Sequence, residues 1–294
     1  MSFFNFCLYN PYYRSLFKRL GYGLCVCLFF LVSTCAKQKQ DTENAFKVGY
    51  SSNLLSQLDR NTLKDIFQEK GLSHISLFFK ELDKFNSCYT KDTNMSNWIK
   101  TDKLIYNEVA CVNEYDKHFT GFDGNCRLTT YLLMHDLIHI QKPKTEHGNY
   151  LMFDIDVLET NPEYATLLPY KDYFVTLFDE ISVTDTDNID RLFSDKWNEC
   201  GMNIKSDDVS IISLVIYDEY EKVVFVGHTG ILIDMKDFYI FVEKIAFKMP
   251  YQMSIFSSKQ ELIDMFSKRP EYFSNDEQEV GPYIYENEIL LHTF

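Results

Sequence analysis

Three side chains that lie far apart in the chain, Cys126, His228 and Glu243, are of the types that together perform nucleophilic acyl chemistry. A cysteine attacks as its thiolate, and the start of a helix favours that anion because unpaired N–H groups and the helix dipole face it. Gly124-Asn125 precedes Cys126, giving a tight approach and then a residue that caps helices well. The run that follows, Leu128, Tyr131, Leu132, Leu133, Met134, Leu137, Ile138 and Ile140, is apolar nearly all round, as expected of a helix buried in a domain. Arg127 either adds positive charge beside the sulfur or points to solvent. His228 would take the thiol proton and return it to a leaving group, while Glu243 holds the imidazole in one tautomer. The oxyanion would be met by the Cys126 backbone N–H and one side-chain amide, with Asn125 and Gln252 as candidates. Gly227 and Gly230 flank the histidine and would keep bulk away from an approaching carbonyl.

The pairing of base and carboxylate rests on register. Val223 to Ile233 and Phe238 to Phe247 read as two strands joined by the four-residue loop Asp234-Met235-Lys236-Asp237. Ile233 opposite Phe238 then puts His228 opposite Glu243, with Cβ atoms roughly 5 Å apart on one face. A slip of one residue would separate them.

Blander readings stand beside this one. A lone cysteine on an apolar helix is often a packing residue, and a strand histidine often a structural one. His135-Asp136-Leu137-Ile138-His139 resembles a zinc H-E-x-x-H motif with Asp for Glu. The shorter acid and the lack of a third ligand favour a solvated helix face, so no metal site and no cofactor is expected. Cys88, Cys111, Cys126 and Cys200 follow Cys35; Cys88 with Cys111 is the more plausible bridge, both lying in one helical region.

The elements that must hold these residues fall into two blocks. From Asn53 to about Cys200 the spacing predicts helices at Leu63 to Lys70 (capped by Asp59 or Asn61), Ile75 to Phe85 (capped by Ser73), Val109 to Phe119, Arg127 to Ile140, Tyr170 to Ile181 and Ile189 to Asn198. After Asp208 come strands at Val209 to Tyr217, the two above, Tyr251 to Phe256 and Tyr283 to Leu291, with a helix from Lys259 to Lys268. Helices followed by an antiparallel meander imply an α+β domain, a helical N-terminal layer packed on a C-terminal antiparallel sheet.

Residues 1–35 read as a lipoprotein-type signal peptide. Arg14, Lys18 and Arg19 precede the apolar Leu20 to Val32, and Leu31-Val32-Ser33-Thr34-Cys35 resembles a lipidation site at Cys35. Thr34 is larger than the usual residue there, which keeps ordinary secretory cleavage or an uncleaved anchor open. Residues 36–47 follow as a polar tether, and 48–294 as a single α+β domain. Loss of the three basic residues takes the formal charge from −14 to −17. So acidic a chain argues against nucleic acid as a partner, and a membrane would be reached through the lipid.

The segments Gly124-Asn-Cys-Arg-Leu-Thr, Val226-Gly-His-Thr-Gly-Ile-Leu-Ile and Phe241-Val-Glu-Lys-Ile-Ala-Phe, with Pro250-Tyr-Gln after them, resemble the bacterial lipoprotein family called domain of unknown function 4300, from about Tyr50 to Leu291. That resemblance implies export and a shared fold, with no substrate. The Cys126, His228 and Glu243 segments are more loosely similar to papain-like hydrolases of the bacterial cell-wall type, which implies a papain-like arrangement. Asn125 and Arg127-Leu128 stand where those enzymes have an acid and Ser-Gly, and no papain-type glutamine lies upstream. The expectation is a cell-envelope cysteine hydrolase acting on amide bonds of peptides or peptidoglycan, anchored outside the cytoplasmic membrane or in the outer membrane. The alternatives are a non-catalytic surface or solute-binding lipoprotein on the same scaffold, and an acyl transferase using the same Cys and His.

Overall fold

A computed structural model describes residues 46–121, 123–184, 189–273 and 279–294. Cys35, the signal segment and the tether through residue 45 lie outside the described residues. Helices α1 (Gln57–Glu69), α2 (Ile75–Asn86), α3 (Glu108–His118), α4 (Cys126–Met134), α5 (Met152–Thr160), α6 (Lys171–Phe178) and α7 (Ile189–Cys200) come first, and α8 (Lys259–Ser267) lies within the strand-rich part. The long strands are β6 (Val209–Asp218), β7 (Val223–Asp234), β8 (Tyr239–Lys244) and β9 (Tyr251–Phe256), with the hairpin β10 (Glu279–Glu286) and β11 (Ile289–Thr293) at the end. The short ones are β1 (Tyr50–Ser52), β2 (Ile99–Lys100), β3 (Ile138–His139), β4 (Ile181–Ser182) and β5 (Asn203–Ile204). The protein is α+β.

Among the described residues nine strands form one antiparallel sheet in the order β11-β10-β6-β7-β8-β9-β1-β2, with β4 joined to β7. The strands after Asp208 form it because β-branched and aromatic residues fill both faces: every residue from Val209 to Tyr217 is buried. The N-terminal segment supplies β1, whose Ser51 pairs with Ser254 across nearly the whole domain. On one face, α8 lays Leu262, Met265 and Phe266 on Leu232, Phe241 and Phe256. Helix α4 packs against β7 and β8.

Several expectations are corrected. Helix α4 stops at Met134 instead of Ile140. Ser73, expected to cap α2, serves the end of α4: its N–H donates to the Leu133 carbonyl at 2.8 Å and its Oγ accepts from Asp136 N–H at 2.8 Å. The N-cap of α2 is His74, with φ +45° and no side-chain cap. His139 consequently lies in β3, opposite Asn203, and the H-D-x-x-H motif never presents two histidines on one helix face. Helix α1 begins earlier than expected, at a Ser56 cap. The final strand is a hairpin, turning at Asn287 (φ +52°). Cys88 and Cys111 are both free, buried thiols.

The β7–β8 loop has four residues, as expected, but begins one residue later. Asp234 pairs with Tyr239 and Leu232 with Phe241. The Asp234 carboxylate accepts from Lys236 N–H at 2.6 Å, and Lys236 takes φ +72°, so Asp234 itself closes the turn. The register is shifted by two from the expected one, which preserves the face of every side chain. Glu243 is therefore diagonal to His228 instead of directly opposite.

Candidate functional site

Asn125 caps α4 with its Oδ1, which accepts from Leu128 N–H at 3.1 Å. Cys126 is the first helical residue, where the backbone N–H has no intrahelical acceptor. His228 arrives from the bend in β7. Leu214 pairs with His228 but Val215 pairs with Val226, so Gly227 is the extra residue of a bulge immediately before the histidine. A bulge re-aims the side chain that follows it, and here the imidazole comes beside the Cys126 thiol, near enough for each to shift the other's titration. Its Nε2 lies 2.6 Å from Glu243 Oε2, which leaves Nδ1 as the nitrogen for the sulfur. The structure thus brings Cys126, His228 and Glu243 together.

Glu243 is held from several sides. Gln252 Nε2 donates to its Oε1 at 3.0 Å, and the Tyr272 hydroxyl lies 2.8 Å and 3.0 Å from its two oxygens. Arg269 Nη1 in turn donates to Gln252 Oε1 at 3.3 Å. The Tyr272 ring also packs on His228, centroids 5.1 Å apart. Gln252 therefore orients the carboxylate, and its amide is not free to serve an oxyanion. Asn125 Nδ2 gives one of its two hydrogens to Asp154 Oδ1 at 2.7 Å. Gln252 spends its second N–H on Ser254 Oγ at 3.2 Å, whereas Asn125 keeps a second N–H beyond the one given to Asp154. The glycines also differ from expectation: a Cβ on Gly230 would sit 2.6 Å from the Phe241 ring and 2.8 Å from the Val242 carbonyl, and one on Gly227 would meet Ile216. They serve close strand packing, not substrate approach.

Arg127 is not a solvent-facing residue. It grips Asp154 with Nε at 3.2 Å and Nη2 at 2.7 Å, and donates to the carbonyls of Val226 at 2.9 Å and Tyr150 at 3.2 Å. The sequence reading missed Asp154 because α5 carries no clear helical stripe. It missed Tyr272 because only the tertiary fold brings the Arg269–Tyr272 turn under β8.

The electrostatics follow from burial and partners. Burial pushes the Cys126 thiol up, but the charge and hydrogen bond of His228, with Arg127 beyond, bring it below its ordinary value. Burial also works against the His228 cation, yet Cys126 and Glu243 together raise it to about 10. Both shifts favour the thiolate–imidazolium form of the pair. Cys126 and His228 are each 6% exposed, so the reactive atoms sit in a nearly dry enclosure.

A second ionic group flanks the same loop. Asp123 accepts from Lys84, from the Tyr115 hydroxyl at 2.8 Å and from Gly124 N–H at 2.8 Å. Glu81 lies beside it, and Lys244 is sandwiched between Phe85 and Tyr251 at 4.6 Å and 4.3 Å from their ring centres. Among the described residues no group of three or more His, Cys, Asp or Glu could hold a metal ion, and no helix is long and apolar enough to cross a membrane.

No curated protein and no solved structure matches the chain. A family model does match, over residues 50–291, and its span takes in every residue of the site: the chain belongs to the family described as Domain of unknown function (DUF4300).

Proposed function

We propose that this chain is an exported, lipid-anchored cysteine hydrolase of papain-like arrangement that cleaves amide bonds in peptides or peptidoglycan. The observation that carries the reading is the Cys126–His228–Glu243 group, with its lowered thiol and raised imidazole. The thiolate adds to the amide carbonyl carbon, and the negative charge passes to the carbonyl oxygen, met by the Cys126 N–H at the helix start. His228 gives its Nδ1 proton to the departing nitrogen as the C–N bond breaks, leaving an acyl thioester on Cys126. Neutral His228 then takes a proton from water, hydroxide adds to the thioester, and the C–S bond breaks to release acid and thiolate. Glu243 holds Nε2–H throughout, which keeps Nδ1 directed at the sulfur.

An acyl-transfer reading draws on one observation, the enclosure of the sulfur, which limits water at the thioester. Incubation with peptidoglycan and amine acceptors separates the two by product. The catalytic reading itself is tested by iodoacetamide. Cys126 should label faster than a free thiol at pH 6, and His228→Ala should slow it about tenfold for each unit that the thiol pKa rises. Equal labelling with and without the histidine leaves a non-catalytic lipoprotein. The anchor is read from the Cys35 segment, and absence of fatty acid on the mature chain's Cys35 would remove it.

A further inference from the structure

The nucleophile and its base stand on different elements, α4 and β7, and a hydrogen bond between them requires the two to be fixed relative to each other. One carboxylate touches both attachments. Asp154, on α5, is fully buried as a side chain and accepts from Asn125 Nδ2, the residue that caps the nucleophile's helix. It also accepts two bonds from Arg127, whose remaining Nη1 donates to the carbonyl of Val226. Val226 precedes the bulge that delivers His228. A planar guanidinium bound by two parallel bonds has little freedom to rotate, so the distance from Asp154 to β7 is rigid. The segment leading into α5 is fixed to the same strands: Tyr150 stacks on Phe225 at 4.1 Å, and its hydroxyl donates to Asp218 at 2.7 Å.

Resting on the reading of Cys126 as nucleophile, we infer that Asp154 is a positioning residue: through Asn125 and Arg127 it sets the start of α4 against the strand that carries His228. Asp154 does not touch the sulfur's proton or the substrate. Its effect is on the alignment of Sγ with the imidazole.

The sign of one measurement separates this from simple electrostatics. The charge of Asp154 opposes the thiolate, so its loss with geometry unchanged would lower the Cys126 thiol and speed labelling at acid pH. Loss of alignment removes the much closer imidazole and slows it. In Asp154→Asn, iodoacetamide labelling of Cys126 at pH 6 should fall about tenfold or more, with the rate-against-pH curve displaced to higher pH. Asn125→Ser keeps a cap for Leu128 but drops the bond to Asp154. It should displace the curve in the same direction by less, and it carries the test if Asp154→Asn fails to fold. Folded variants that label as fast as the parent, or faster, overturn the inference. A parent whose Cys126 labels no faster than a free thiol instead overturns the reading beneath it.

Discussion

Two buried ionic groups share one loop and one strand, and they are built differently. Glu243 and Lys244 are neighbours in β8, and Asp123 stands three residues before Cys126. In the first group, Glu243 takes donors from His228, Gln252 and Tyr272, and both its oxygens are occupied. In the second, Glu81 has one oxygen, Oε1, with no donor, and its other oxygen is 3.6 Å from Lys84. Burial and the adjacent Asp123 raise Glu81 to about 7, whereas Asp123 is lowered because Lys84 and Lys244 outweigh its burial. A proton on Glu81 would bridge to Asp123 and satisfy the orphan oxygen. Depth of burial is similar in the two groups, so burial does not decide their charge; the number and sign of the donors do.

The largest way to break this comparison is to remove the charge from the well-satisfied group. Glu243→Gln keeps the shape but takes away the anion that stabilises the imidazolium. Labelling of Cys126 at pH 6, and any hydrolysis found, should fall by about 10²-fold or more. The same change alters stability against pH. His228 is raised from 6.5 to about 10 in the folded state, so its contribution is complete below about pH 6.5 and is lost as pH rises through 10. Cys126, lowered from 9.0, gains over the same range up to pH 9 and offsets that loss, so thermal melts of the parent should be nearly flat from pH 6.5 to pH 9 and decline towards pH 10, with a shallower decline in Glu243→Gln.

A smaller effect of opposite sign sharpens the comparison from the other side. Glu81 is also raised, from 4.5 to about 7, so its contribution is present below pH 4.5 and lost as pH rises through 7. Glu81→Gln mimics the protonated acid. It should raise the melting temperature at pH 8, by about 2–4 °C for each kcal/mol recovered, and leave it nearly unchanged at pH 4. A drop at pH 8 would mean that the Glu81 charge is needed by Lys84.

Much of the fold and site was legible because local patterns and local chemistry agree. The strand Tyr251–Phe256 has the expected bounds. Asn125 and Cys126 stand at the expected helix start, since an Asx side chain finds the third N–H without help from the rest of the fold. Placing His228 and Glu243 on one face survived a register wrong by two because side-chain direction repeats with that period. What failed was long-range. Ser73 could satisfy either its own helix or the end of α4, and packing of α2 on α4 chose the latter. Gln252 looked like a free donor, but Glu243 and Ser254 take both of its N–H groups.

By itself the sequence determined the α+β class, the helix start that exposes Cys126 N–H, and the strands that carry His228 and Glu243, because caps, turns and alternation act over a few residues. Only the tertiary structure decided that Gly227 bulges, that Arg127 turns inward to Asp154, and that Tyr272 and Gln252 close around Glu243. Those choices depend on which buried charges meet. A charge excluded from water takes whichever partner the fold brings within reach, and no local pattern records who that partner is.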